Sequence, residues 1–156
     1  PKPILKENNV VKILVENIKL LNELDQSIKI EFKTNSDQIF LICDKEQLSR
    51  VFLNLIKNSI ESIQQKAENV SNFDKNISIE IKDNNDHIRM IMTDNGVGFG
   101  IFKDNIKDIL HPYFTTKKNG TGLGLSIVNK IINDHNGKIN FIPINDGAKI
   151  EIIFNK

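Results

Sequence analysis

The stretch from Asp44 to Ile63 has the clearest helical periodicity in the chain, and it limits the folds that the chain can adopt. Asp44 is a favourable N-cap with Gln47 three residues later, so a helix is expected to begin here. One face is marked at three- and four-residue spacings by Leu48, Phe52, Leu55, Ser59 and Ile63. A long helix of this kind must pack its apolar face against another layer of the protein.

Other segments supply that layer. Helical spacing after Asn8-Asn9 predicts a first helix that ends near Leu24, and residues 125–132 predict a third, which Asn136-Gly137 terminates. Alternating or short apolar runs predict strands at 28–32, 39–42, 77–81, 88–93, 139–142 and 150–154. We expect the first two strands to pair with each other and the next two to form a hairpin that ends at Asp94.

Composition excludes several classes of protein. With 21 Lys+Arg against 20 Asp+Glu, the net charge of +1 leaves no broad basic surface for nucleic acid. The single Cys43 cannot form an internal disulfide or a multi-cysteine zinc site. Apolar runs such as 39–43 are far shorter than the roughly 20 residues that span a bilayer. These features predict one globular, cytoplasmic domain.

Asn54 and Asn58 lie four residues apart on the second predicted helix, roughly opposite its apolar face, and Glu61 follows on the same side. In a chain rich in asparagine, the pair is compatible with an ordinary solvated helix face. Two amide oxygens that project together could also complete the shell of a Mg²⁺ ion whose other ligands are phosphate oxygens and water.

A glycine-rich segment, Asp94-Asn95-Gly96-Val97-Gly98-Phe99-Gly100, follows the predicted hairpin. A carboxylate at the end of a strand can accept a hydrogen bond from the amino group of adenine. Glycines allow a ligand to approach the backbone because they have no Cβ. The alternative is a glycine-rich turn that Asp94 caps.

A second glycine-rich segment, Gly120-Thr121-Gly122-Leu123-Gly124-Leu125, opens the third predicted helix. The free N–H groups and the dipole of a helix N-terminus favour phosphate. The segment is not a Walker A loop, because no Gly-Lys-[Ser/Thr] follows at the required spacing. Lys117 and Lys118 precede it, and beside phosphates they could neutralise charge. The long polar stretch from 95 to 120 is typical of a functional lid or a disordered loop.

The order of these motifs resembles the ATP-binding domain of sensor histidine kinases. Their N, G1, F and G2 boxes occur within the GHKL superfamily, which also contains gyrase-type and chaperone ATPases. The matching segments are 54–58, 94–98, 112–116 and 120–125, and the resemblance covers nearly the whole chain. Segments 54–62 and 112–118 are most similar to the NtrY/NtrB nitrogen-regulation group.

The resemblance, together with the layer rule, implies an α+β fold. It would be a two-layer α/β sandwich of the Bergerat type. A mixed, mainly antiparallel sheet of about five strands would pack under about three helices, with an ATP lid at about 99–120. Residues 1–8 would be the remnant of a linker after a missing dimerisation and phosphoacceptor domain, and 9–156 would be the catalytic domain.

The resemblance also implies roles for individual residues, with ATP and Mg²⁺ as cofactors. Asp94 would recognise the adenine amino group, and Asn54 and Asn58 would hold Mg²⁺ against the phosphates. These two asparagines and Lys117 would be the catalytic residues. The other nucleotide-binding residues would be Gly96, Gly98, Thr116, Lys117, Lys118, Gly120, Thr121, Gly122, Leu123, Gly124 and Leu125. Glu61 stands where many relatives carry a phosphate-contacting lysine, so that role stays open between Lys57, Lys117 and Lys118.

The implied activity is transfer of the ATP γ-phosphoryl group to a histidine on the separate helical domain, for relay to an aspartate of a response regulator. None of His87, His111 and His135 has the context of that acceptor histidine, so we expect surface or structural roles for them. The partners would be the helical domain and the receiver domain of the regulator, and not nucleic acid. The intact protein would be a homodimer and this chain a monomer in the cytoplasm, with a membrane anchor elsewhere left open.

Two rival functions are a GHKL ATPase that hydrolyses ATP and an idle module that only binds nucleotide. The first is disfavoured because those ATPases carry a water-activating glutamate one turn before the metal-binding asparagine, where this chain has Asn54. The second is disfavoured because no box is visibly degraded.

Overall fold

The computed structural model describes residues 1–98 and 124–156, which form seven strands and three helices. The elements in chain order are β1 (Lys6–Asn9), α1 (Val10–Asn22), β2 (Lys29–Thr34), β3 (Phe40–Cys43), α2 (Lys45–Ala67), β4 (Asn76–Asp83), β5 (His87–Asp94), α3 (Gly124–Asp134), β6 (Gly137–Ile142) and β7 (Ala148–Asn155). In these ranges no helix is long and apolar enough to cross a membrane.

The main sheet has five strands in the order β2-β4-β5-β7-β6. Only β2 and β4 pair in parallel, and the other neighbours are antiparallel. Along β5, residues alternate between buried and half-buried, because successive side chains point to opposite faces of a sheet. The buried face packs with the apolar faces of the helices in one core. The predicted two-layer α+β architecture and the β4–β5 hairpin are therefore confirmed.

The predicted pairing of β2 with β3 is wrong. Strand β2 pairs in parallel with β4, which aligns Ile30 with Ile77 and Phe32 with Ile79. Strand β3 belongs to a separate two-stranded sheet and pairs antiparallel with β1. An alternating pattern states which residues face the core, but it does not state which strand lies alongside.

Strand β1 was not predicted, since its sequence Lys-Glu-Asn-Asn has no apolar alternation. It forms because its backbone pairs with β3, with Glu7 opposite Ile42. The strand includes residues 6–8, which the sequence analysis assigned to the linker. The division of the chain after residue 8 stays a prediction.

Helix α2 begins after the expected cap, where the Asp44 side chain accepts a hydrogen bond from the Gln47 N–H at 3.0 Å. Its apolar face is fully buried, including Leu48, Phe52 and Leu55. At 23 residues it is long enough for its second half to run past the end of β5 and contact the turn that follows. This contact creates the candidate site.

Candidate functional site

Asp94 is the last residue of β5, and only 5% of it is exposed. Its Oδ1 accepts a hydrogen bond from the Gly96 N–H at 2.9 Å, and the Ser59 hydroxyl and the Ala148 N–H also stabilise the carboxylate. Ser59, at 4% exposed, comes from α2, and Ala148 is the register partner of Asp94 on β7. The turn after β5 therefore holds this carboxyl group directly, and α2 and β7 lie beside it.

Burial raises the pKa of Asp94 above its ordinary value of 3.8, and it outweighs the hydrogen bonds from Gly96, Ser59 and Ala148, which act in the opposite direction. The positive charge of Lys66 adds a smaller lowering of this pKa. A buried carboxylate is stabilised by each further hydrogen bond that it can accept. The site is therefore suited to bind a ligand through an N–H group.

The turn after Asp94 packs tightly on α2. A Cβ on Gly96 would lie 2.6 Å from the Ser62 carbonyl carbon and 2.7 Å from the Ile63 nitrogen, closer than side chains approach. The Val97 N–H also donates to the Ser62 carbonyl oxygen at 3.3 Å. Gly96 thus lets the turn approach the helix, which is how it shapes the surroundings of Asp94.

Gly98 and Gly147 contact each other on the other side of this turn. Both have a positive φ, +71° at Gly98 and +97° at Gly147, which glycine adopts without strain. A Cβ on Gly98 would overlap the Gly147 carbonyl, and a Cβ on Gly147 would overlap the carbonyl oxygen of Asp94. Gly147 is a residue of the site that the sequence analysis missed. Its only signal is the Asp146-Gly147 turn pair before the last strand.

Asn95 connects the same turn to the start of β4. Its Oδ1 accepts from the Asn76 N–H at 3.0 Å, and its Nδ2 donates to the Asp74 carbonyl. Lys66, near the end of α2, donates to the Asn95 carbonyl at 2.9 Å and lies 4.8 Å from the centre of the Phe73 ring. Lys66 was also missed, because a lysine in the last turn of a helix is ordinary.

Asn54 and Asn58 are both half-buried on one face of α2, as predicted. Ser62, four residues beyond Asn58, touches the turn after Asp94, so Asn58 lies one helical turn away from that contact. The described parts of the chain hold no cluster of three or more His, Cys, Asp or Glu residues that could bind a metal. Two amide oxygens fit a Mg²⁺ ion that phosphates and water also hold, and they do not form a complete site by themselves.

Gly124 and Leu125 form the first residues of α3, as the sequence predicts. A Cβ on Gly124 would have no atom within 4 Å, so the packing of the described residues does not require glycine there. The remaining predicted residues lie outside the described ranges: Thr116, Lys117, Lys118, Gly120, Thr121, Gly122, Leu123 and the lid at about 99–120. Lys57, an alternative phosphate contact, is exposed on α2.

The histidines of the described ranges have structural positions. His87 begins β5, and its Nδ1 lies 2.7 Å from Asp86 Oδ1. His135 follows α3 and is 6% exposed, so it is not a surface residue. His111 lies outside the described ranges.

Comparisons with known proteins agree with this geometry. A family described as "Histidine kinase-, DNA gyrase B-, and HSP90-like ATPase" matches residues 43–156. A protein named as a sensor histidine kinase NtrY-like, from Rickettsia conorii, is 36% identical over 146 residues, which are 93% of this chain and 22% of that protein. Sensor histidine kinase ZraS from Salmonella typhimurium is 35% identical over 137 residues, 86% of this chain and 28% of its own length. The chain thus spans less than a third of the length of these relatives.

Solved structures give the same result over the whole fold. The catalytic domain of histidine kinase ThkA superposes with a TM-score of 0.81 at 28% identity, covering 98% of this chain and 96% of that one. A second structure, ThkA in complex with response regulator protein TrrA, has a TM-score of 0.76 at 25% identity and covers 97% of this chain and 42% of that one.

Proposed function

The chain belongs to the family of histidine kinase-, DNA gyrase B- and HSP90-like ATPases, and from that premise we propose that it binds ATP with Mg²⁺ and transfers the γ-phosphoryl group to a histidine of a separate helical domain. Its relatives and structural neighbours are sensor histidine kinases, among them NtrY-like ones, so the chain is an ATP-binding catalytic domain of that class. The activity, substrates and partners of the intact protein are part of the proposal.

The observation that carries the proposal is the buried carboxyl group of Asp94 at the end of β5. The adenine amino group is a neutral donor, and Asp94 offers it a charged acceptor in a desolvated position. Gly96, Gly98 and Gly147 keep the surrounding backbone close to this carboxylate. A guanine base presents a carbonyl oxygen at the corresponding position, so it would face the carboxylate unfavourably.

The phosphates would lie along α2 toward α3. Asn54 and Asn58 would supply amide oxygens to Mg²⁺, and the N-terminus of α3 at Gly124 and Leu125 would offer backbone N–H groups to phosphate oxygens. Bound Mg²⁺ would neutralise charge that develops during phosphoryl transfer. Positioning and charge neutralisation supply most of the catalysis in this reaction, so the chain needs no covalent intermediate of its own.

The acceptor would be a histidine of a helical dimerisation domain, and the phosphoryl group would pass on to an aspartate of a response regulator. The complex of histidine kinase ThkA with response regulator protein TrrA supports a response regulator as a partner. We propose that residues 1–8 join the two domains, that the intact protein is a homodimer with this domain in the cytoplasm, and that this chain by itself is a monomer. Lys117 and Lys118 remain the proposed phosphate contacts beside Lys57.

One experiment separates this function from ATP hydrolysis and from nucleotide binding alone. The chain is incubated with γ-labelled ATP and Mg²⁺, with and without a helical acceptor domain from an NtrY-like kinase. We expect acid-labile, alkali-stable label on the acceptor and none on the chain. Rapid release of free phosphate without acceptor would move the chain to the ATPase class. The acceptor domain is first shown to be phosphorylated by the catalytic domain of the kinase from which it was taken. If the chain then binds ATP but neither transfers nor hydrolyses it, the chain is a nucleotide-binding module only.

A further inference from the structure

His135 uses both nitrogens of its buried ring. The Nδ1–H group donates to the Ile131 carbonyl at 2.7 Å, one turn earlier at the end of α3. The Nε2 atom accepts from the backbone N–H of Asp44 at 3.0 Å, across 91 residues of sequence. Because Nε2 accepts from an N–H group, the ring is in the neutral form with its proton on Nδ1.

Asp44 is the N-cap of α2, and its own hydrogen bonds show why the contact matters. Its Oδ1 caps the Gln47 N–H at 3.0 Å, and its Oδ2 accepts from the Ile4 N–H at 2.8 Å. In a capping box, the side chain at the third helical position accepts from the N–H of the N-cap residue. That position is Gln47, but its Nε2 donates to the Pro1 carbonyl at 3.3 Å, and its buried Oε1 has no partner in the described residues.

The acceptor for the Asp44 N–H therefore comes from another helix instead of from α2 itself. The bond joins the end of α3 to the start of α2. The residues that α3 buries in the core are apolar: Val128, Ile131 and Ile132. The hydrophobic effect is not directional, so apolar burial specifies the position of a helix less sharply than a hydrogen bond does. The bond from the Asp44 N–H to His135 adds a directional constraint between the end of α3 and the start of α2.

We propose that His135 is a positioning residue for the nucleotide site. It fixes α3 against α2 through the Asp44 N–H, and in this way it sets the affinity for ATP without contacting ATP. The inference rests on the proposed function, in which α2 supplies Asn54 and Asn58 and α3 supplies Gly124 and Leu125. Without the bond, ATP binding must itself order α3, and ordering a segment on binding lowers affinity. One lost hydrogen bond corresponds to about fivefold weaker binding.

Two substitutions at one position separate the two hydrogen bonds of the ring. In His135→Asn the amide ends near the level of Nδ1, so it can keep the bond to Ile131 but cannot reach Asp44. In His135→Gln the amide ends near the level of Nε2 and keeps an acceptor for the Asp44 N–H. His87→Asn is the matched control, since His87 lies at the start of β5 and its ring bonds to Asn84 and Asp86 in the turn before that strand.

Gln47 allows the effect of His135→Asn on the stability of the protein to be separated from its effect on the position of α3. When His135→Asn removes the acceptor, the free Oε1 of Gln47 can take the Asp44 N–H locally and complete the capping box of α2. The cap of α2 is then restored, but α3 stays unlinked. We therefore expect a small change in the midpoint of thermal unfolding together with the change in ATP affinity.

The test measures the Kd for ATP with Mg²⁺ by titration calorimetry, and amide hydrogen exchange across α3 without nucleotide. We expect His135→Asn to bind about fivefold more weakly and to exchange faster across α3, with His135→Gln and His87→Asn within twofold of the parent chain. Equal affinities in all four proteins with unchanged exchange, equal weakening in both His135 variants, or loss of folding in His135→Asn would overturn the proposal. Failure of the parent chain to bind ATP would refute the proposed function instead, while the exchange of α3 would still decide whether His135 fixes this helix.

Discussion

The substitution Asp94→Asn tests the adenine contact with the least change in shape. The carboxyl group accepts a hydrogen bond from the Gly96 N–H and is also stabilised by the Ser59 hydroxyl and the Ala148 N–H, and an asparagine oxygen retains part of this set. Its NH2 group, however, replaces an acceptor with a donor. The adenine amino group would then meet a donor or a neutral oxygen in place of a charged acceptor.

The magnitude follows from the kind of bond that is lost. A hydrogen bond to a charged group contributes about 1.5–3 kcal/mol, and about 1.4 kcal/mol is a factor of ten in affinity. We therefore expect ATP to bind roughly ten- to a hundredfold more weakly. Stability should change little, because the relief of a buried charge opposes the loss of a hydrogen bond. GTP, which cannot donate at this position, should lose far less, so the preference for ATP over GTP should narrow.

The assay is titration calorimetry with ATP and GTP on the parent chain, Asp94→Asn and Asp37→Asn. The last is a matched control, since Asp37 is exposed in the turn before β3. Denaturant unfolding of each protein shows whether the comparison is between folded states. Unchanged ATP affinity in Asp94→Asn would refute the adenine contact. An equal loss for ATP and GTP would show that the substitution damages the pocket as a whole.

Three further predictions follow from the site. Gly147→Ala should lower the free energy of unfolding by about 2–4 kcal/mol in denaturant titrations, because the new Cβ would overlap the Asp94 carbonyl oxygen and because φ is positive at this position. Gly124→Ala is the control and should not lower it, since a Cβ there has no atom within 4 Å. Asn58→Ala should slow phosphotransfer to a supplied acceptor more than it weakens nucleotide binding, and a rate equal to that of the parent chain would make Asn58 a surface residue. Below the raised pKa of Asp94, protonation removes the negative charge of the acceptor, so ATP affinity should fall with falling pH in the parent chain. The titration of ATP itself is subtracted by comparison with Asp94→Asn, and identical pH profiles in the two proteins would contradict this reasoning.

Much of the fold was predictable because it depends on local periodicity. The spacing along α2 and the alternation in β4 and β5 each state which side chains face the core, and the structure buries those residues. The partners of β2 and β3 were not predictable in this way, because pairing is a tertiary choice between strands with similar patterns. Strand β1 has no pattern to read, since its stability comes from backbone hydrogen bonds to β3.

The site was predictable where a residue type carries its own chemistry. Asp94 stood out as a carboxylate at the end of a strand before glycines, and the structure buries it there. Ser59 did not stand out, because its position in the periodic face of α2 suggested packing alone. Gly147 and Lys66 were missed because their roles depend on contacts with the turn after Asp94, and these contacts join segments that are far apart in sequence.

The buried polar residues connect the helices and strands that surround the nucleotide site. Within the described ranges they are Asn17, Ser59, Asp94 and His135. Asn17 donates to the Ser49 hydroxyl at 2.9 Å and joins α1 to α2. Ser59 of α2 donates to Met92 Sδ of β5 at 3.6 Å and also stabilises the Asp94 carboxylate at the end of that strand. His135 joins α3 to the start of α2. Burying a polar group is costly unless a partner satisfies it, so each of these residues marks an orientation that apolar packing alone would not specify. All four act on α2, the helix that carries Asn54 and Asn58, which makes α2 the reference element for the nucleotide site.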